Sequence, residues 1–218
     1  MEDKRISRSK QALKHALVEL LKQVSFEELT VIQLCNQAGI SRITFYAHYT
    51  DKYGLATELI QDYIQQADQL FTQMHPCKDA FLTSQERSAL LHDMLDCIFH
   101  MYRYHIEFFR YATPTHSAYL YAEVVQQLIQ YITRHILQLQ PQVNFRYPAT
   151  MCIQFVIYGL WGFFMEAVQR KNPAEDTIHQ AHDILQHMLE SKILLLDSEE
   201  TPADESHPLD CLTTPAQI

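Results

Sequence analysis

The sequence predicts an all-α protein, a small N-terminal head of three helices followed by a larger helical body, and three observations carry that expectation. Glycine occupies only four of 218 positions while helix-forming Leu, Gln, Ala and Glu are plentiful. Apolar residues recur at i, i+3, i+4 and i+7 in segment after segment. A helix stop and a helix start also lie two residues apart, at Gly39 and Ser41, which is how two short helices are joined into a helix-turn-helix. The boundaries that follow are a head over 1–50, a body over 51–197 and an acidic, Pro-containing tail over 198–218 expected to be disordered.

Taken in order, Leu13, Leu17, Leu20, Leu21 and Val24 describe one apolar face between Ser7 and Val24 and predict the first helix. The second opens at Thr30 and ends near Ala38. Gly39 supplies the positive φ that closes it, and the Ser41 hydroxyl caps the third. Val31, Leu34, Cys35, Ala38, Ile40, Ile43 and Phe45 are expected to form the small core of the head. A fourth helix from about Asp51 to Met74 would span over about 30 Å, long enough to act as a lever. His75-Pro76 ends it, because Pro disfavours helical geometry in the residue before it.

Thr83-Ser84-Gln85-Glu86 reads as a capping box opening the next helix, which runs to about Arg103. A ring-rich continuation follows over 105–112, then a break at Thr113-Pro114-Thr115 and a long amphipathic helix from about His116 to Leu139. Ala149 to Met165 is the most apolar segment. At about seventeen residues, with Gln154 inside and Glu166 directly after, it falls short of the roughly twenty a bilayer requires and is read as a core helix buried on most sides. Gly159 and Gly162 within it imply close approach of another backbone, since Gly costs up to about 1 kcal/mol in a helix interior. Asn172-Pro173-Ala174-Glu175 opens the last helix, which runs to about Leu196.

Charge and cysteine usage narrow the function. To Ile60 there are eight basic and seven acidic residues, so −10 of the net −9 lies beyond it, an acidic body behind a near-neutral head. Lys4, Arg5, Arg8 and Lys10 form a candidate basic arm. The charged N-terminus has no apolar core of a signal peptide. Five scattered cysteines without Cys-x-x-Cys spacing point to reduced thiols in a cytoplasmic protein. No Gly-rich phosphate loop, nucleophile elbow or metalloprotease motif occurs, so no enzyme and no cofactor are expected.

The segment TVIQLCNQAGISRITFYAHYTDKYGL, Thr30 to Leu55, resembles the DNA-binding domain of the tetracycline-repressor (TetR) family of bacterial transcriptional regulators. Thr30-Val31, Ala38-Gly39-Ile40-Ser41, Phe45-Tyr46, His48-Tyr49 and Lys52 with Leu55 carry the resemblance in order; Tyr49 stands where Phe is commoner. It implies that Thr30, Ser41, Arg42, Thr44, Tyr46, His48 and Lys52 meet DNA, with Arg42 and Thr44 at or near bases and Tyr46, His48 and Lys52 at phosphates. It also implies a body enclosing a small-molecule effector site and a homodimer made by the last two helices, binding a double-stranded, pseudo-palindromic operator. Candidate pocket residues are Tyr102, Phe108, Phe109, Tyr119 and Tyr158. Candidate dimer residues are Gly159, Trp161, Gly162, Phe163, Ile184 and Met188. Repression is the expected sign, with activation as the alternative.

Two other readings compete. A helical adaptor binding only protein would make the helix-turn-helix resemblance accidental. A metal-sensing regulator would use His179 and His182, which lie at i and i+3, with His187, His92, His100 or His105, although ligation requires three or four converging groups.

Overall fold

The computed structural model describes residues 2–75, 83–138, 145–169 and 174–190. Within them the chain forms α1 (Glu2–Leu21), α2 (Val31–Ala38), α3 (Arg42–Tyr46), α4 (Lys52–Met74), α5 (Ser84–Tyr104), α6 (Ile106–Phe109), α7 (Ala118–Gln138), α8 (Ala149–Gln169) and α9 (Ala174–Glu190). The expected N-cap at Asn172, the end of the last helix and the tail lie outside the described residues.

The predicted starts and stops operate as local chemistry requires. The Thr83 hydroxyl accepts from the Glu86 N–H at 3.2 Å while the Glu86 carboxylate accepts from the Thr83 N–H at 2.7 Å, the reciprocal pairing of a capping box. Thr30 and Gln33 build a second such box at α2. Gly39 closes α2 at φ 66°, ψ 32°, so that its own N–H and that of Ile40 return to the Asn36 and Cys35 carbonyls.

The head is built on Leu13, Leu17 and Leu21 of α1, Phe26 and Leu29 of the following loop, Leu34 of α2 and Phe45 of α3, all essentially inaccessible to water. Each such side chain contributes about 1.5–3 kcal/mol, so this cluster outweighs any surface ion pair in holding the three helices together. One charged exception is structural. Lys14, 5% exposed, bonds Glu58 and Asp62 at 2.6 Å each, and Lys10 bonds Glu58 at 2.9 Å. Burial alone would raise the Glu58 carboxyl, but the Lys14 and Lys10 ammoniums outweigh it and hold it below the usual carboxylate range. Lys14 and one charge of the expected basic arm, Lys10, therefore clip α1 to α4, and residues 2–10 are helix.

In the body α4 packs on α5 and α7, α7 on α8, and α8 on α9, which returns to α5. The α5–α9 seam is polar. His92 Nδ1 lies 2.7 Å from His182 Nδ1, His182 Nε2 lies 2.7 Å from Asp96, and Gln186 accepts from His92 and Ser88. Helix α8 corrects the expectation of burial on most sides. Only a third of its apolar window Ala149–Glu166 is buried, and Met151, Phe155 and Tyr158 face outward. By length and composition this is the one helix among the described residues apolar enough to span a membrane.

His105 joins α5 to α6 and stacks on Tyr63 with ring centroids 3.6 Å apart. Burial pulls its imidazole down from 6.5 to about 4. Between those values the unfolded chain holds a proton that the folded chain refuses. Its contribution is therefore complete above pH 6.5 and is lost as pH falls to about 4. A shift of this size corresponds to about 3 kcal/mol, reduced by partial exposure to about 1–2. Between pH 7 and pH 4 the wild type is expected to lose about 1–2 kcal/mol more than His105→Gln in urea titrations. Parallel pH profiles would refute the assignment.

Candidate nucleic-acid interface

The reading element is short. α3 has five residues, and of these Phe45 alone is fully buried, its ring 5.7 Å from Tyr49 and 5.4 Å from Tyr46. Ser41 sets the entry: its hydroxyl accepts from the Thr44 N–H at 3.1 Å and pairs with Thr44 Oγ1 at 2.9 Å. Arg42 and Tyr46 are exposed, and Thr44 and His48 are half-buried. Thr30, at the N-terminus of α2, is exposed and joined to Gln33. Polar groups are thus displayed on the outer side of a two-helix unit whose inner side is closed by Leu34, Cys35 and Phe45.

Two expectations need correction. Ile43 is not core: it is 84% exposed, because at 100° per residue it lies on the opposite side of α3 from Phe45. Lys52 does not present its charge to solvent. Its Nζ donates to the Phe26, Glu27 and Leu29 carbonyls, each at 2.8 Å. An ammonium has three N–H groups, so all three are engaged inside the head. Burial also pulls Lys52 below the usual lysine range, against the opposing pull of Glu27. Lys52 fastens the start of α4 to the α1–α2 loop.

That loop also reaches the body. Glu27 accepts from Ser117 Oγ at 3.0 Å and from the Tyr119 N–H at 3.3 Å, at the start of α7. Burial alone would raise Glu27, but backbone N–H groups of Glu27 and Tyr119, the Ser117 hydroxyl and Lys52 outweigh it and lower the carboxyl. Phe26 stacks on Tyr119 with centroids 5.3 Å apart, and Tyr53 meets Tyr119 edge-on at 4.7 Å. Thr57 of α4 donates to Glu123 of α7 at 3.0 Å. Neither Phe26 nor Glu27 is legible as a junction residue, since both lie in a short loop without periodicity.

Of the candidate pocket residues, Tyr102, Phe108 and Phe109 come together in the body, joined by Trp161 and Phe164. The Tyr102 hydroxyl and the Trp161 Nε1–H are buried and find no hydrogen-bond partner among the described residues. Burial pushes the Tyr102 hydroxyl up to about 12. Tyr119 belongs instead to the junction with the head, and Tyr158, 54% exposed, lies on the outer face of α8.

Of the candidate dimer residues, Trp161 turns inward, 5% exposed, against Phe109 and Phe164. Phe163, Ile184 and Met188 are half-buried. Gly159 and Gly162 are exposed with nothing within 4 Å of an added Cβ, so among the described residues no element makes the close approach expected there. The histidines separate: His179 is exposed beside Asp183, whereas His182 turns to His92 and Asp96. No three His, Cys, Asp or Glu side chains converge as metal ligands among the described residues.

The fold and the turn define a helix-turn-helix DNA-binding regulator. The family model described as bacterial regulatory proteins, tetR family, matches residues 9–59, from α1 into α4. Residues 9–59 are thus a tetR-type regulatory domain, and the helical body follows it. Its fold is similar to a TetR-family transcriptional regulator from Syntrophomonas wolfei, at 12% identity and TM-score 0.63 over 84% of this chain and 96% of that one. It is also similar to a TetR-family regulator from Marinobacter aquaeolei, at 18% identity and TM-score 0.59 over 89% and 100% of the two chains. A TetR transcriptional regulator from Streptococcus agalactiae aligns at 20% identity and TM-score 0.57 over 84% and 97%. No curated protein matches the chain. TetR-family proteins are transcription regulators, not enzymes.

Proposed function

We propose that the protein is a cytoplasmic repressor that binds a pseudo-palindromic operator as a homodimer and is released by a small-molecule effector held in the body. The observation that supports the DNA reading is the outer side of α3, where Arg42 and Tyr46 stand exposed on a helix anchored from behind by Phe45. Arg42 and Thr44 meet base edges, while Tyr46, His48 and the capped N-termini at Thr30 and Ser41 meet phosphates. Lys52 serves DNA indirectly, by holding the loop and α4 in register. The division of the chain follows the same logic, with the reading head over 1–50 and the effector and dimer body over 51–197.

The dimer face is the outer stripe of α8, Met151, Phe155, Tyr158, Gly159 and Gly162, where the two glycines admit a partner helix, with Phe163, Ile184 and Met188 at its margin. The effector site lies among Tyr102, Phe108, Phe109, Trp161 and Phe164. An apolar ligand carrying hydrogen-bond acceptors suits the two unpaired donors there, since each unsatisfied buried group costs about 1–3 kcal/mol. Effector binding displaces α4 and changes the spacing of the two heads.

The test is a mobility-shift titration against the DNA flanking the protein's own gene, at two salt concentrations, with a scrambled duplex as control. Binding is expected to be sequence-selective and weakened by salt. It should fall on the order of 10–100-fold in Arg42→Ala and in Tyr46→Ala, both with unchanged thermal stability. Equal affinity of wild type and both variants for operator and scrambled DNA would revive the adaptor reading.

A further inference from the structure

The most exposed large apolar side chain among those described is on the DNA-reading helix itself. Ile43 is 84% accessible, at the second position of α3. Phe45 fixes the rotation of this helix because it is the residue wholly inside the head. At 100° per residue Ile43 lies about 200° from Phe45 in one direction and Ala47 about 200° in the other. Both are exposed, and the Ala47 N–H returns to the Ile43 carbonyl at 3.0 Å. The centre of the reading face is therefore an isoleucine with an alanine one turn on, with Arg42 and Tyr46 along one side of it and Thr44 along the other.

Resting on the proposed DNA reading, we infer that Ile43 is a specificity-determining residue that reads the C5 methyl group of a thymine. Among the edges that base pairs offer in the major groove, all but one are hydrogen-bond donors or acceptors, and the exception is the methyl on C5 of thymine. A branched aliphatic side chain has nothing to donate or accept. Placed over a cytosine N4 amino group or a guanine O6, it would desolvate that group without replacing its water. Placed over a thymine it buries methyl against methyl. Arg42 and Thr44 beside it supply the polar contacts, so the half-site combines a hydrogen-bonded position with a methyl-bearing neighbour. The same C5 methyl occurs on 5-methylcytosine, and the test separates the two.

Duplexes selected from a randomised pool by the full-length protein are expected to share a thymine in each half-site. Each thymine of a selected duplex is then replaced singly by uracil, which removes only the methyl. At one position per half-site the wild type should bind about four-fold more weakly, the factor for one buried methyl-sized group. Ile43→Ala, which loses the contact in both half-sites, should bind the thymine duplex as weakly as the wild type binds a duplex carrying uracil at both of these positions, and be indifferent to the exchange. Its helix content and melting temperature should match the wild type, since Ile43 is exposed. Cytosine at that position should bind weakly and 5-methylcytosine should recover affinity only in part, because its amino group remains.

Recovery to the full thymine level, or selection only from methylated pools, would assign the contact to 5-methylcytosine and overturn thymine. Uracil exchanges that affect wild type and Ile43→Ala alike would overturn the methyl contact and leave the regulator reading standing. Failure to select any duplex would overturn both.

Discussion

Lys52→Met is expected to unfasten the head from within and to abolish operator binding through loss of structure. The substitution leaves the carbonyls of Phe26, Glu27 and Leu29 without their shared donor. Bonds from a charged donor contribute about 1.5–3 kcal/mol each, and water can replace the outermost of the three. The expected loss is about 2–4 kcal/mol, which for a chain of this size lowers the melting temperature by on the order of 10 °C. Lys22→Met is the comparison, because among the described residues Lys22 pairs with Glu19 and Glu107 on the surface, and its melting temperature should stay near that of the wild type. If Lys52→Met melted like Lys22→Met and lost only operator affinity, the ammonium would belong on a phosphate.

Phe45→Ala is expected to cost about 3–5 kcal/mol, the usual range for emptying a core site of a phenyl ring. The functional loss should exceed what that figure suggests. α3 is too short to hold itself together, and Phe45 is its one fully buried side chain, so the variant releases the reading helix from the head. Amide exchange should accelerate through α3 while α8 stays protected, and operator binding should vanish. Wild-type affinity in this variant would mean that Ser41 capping and the Ala47 and His48 backbone bonds suffice to hold the helix.

The parts legible in the sequence are those governed by local chemistry. Gly39 and Ser41, the Thr83 capping box and the end of α4 before Pro76 depend on a few neighbouring residues, and each falls where its pattern places it. The second capping box, Thr30 with Gln33, was equally readable as T-x-x-Q. Ile43 was misread although the information was present: on a five-residue helix, positions 43 and 45 cannot both face inward. Lys52 is harder, because a lysine at a helix start reads as a solvent charge unless the loop that supplies its carbonyls is already folded. Trp161, Tyr119 and Tyr158 show the same limit in the body. Periodicity places each ring on an apolar stripe, but which stripe meets the core, the head or the outside depends on contacts distant in sequence, such as Phe26 on Tyr119.

The grip of Glu27 on the start of α7 has a mechanical consequence. Attached through α4 alone, the head would be a pendulum bob, able to twist about its rod as well as swing with it. The carboxylate's bonds to Ser117 and Tyr119, with Phe26 seated on the same tyrosine, add a second anchorage. The Lys22–Glu107 pair ties the end of α1 to α6 as a further, surface attachment. Torsion about the rod is thereby suppressed, and any shift of α7 along its axis is handed to the loop that Lys52 fastens, so that the head is coupled to α7 as well as to α4.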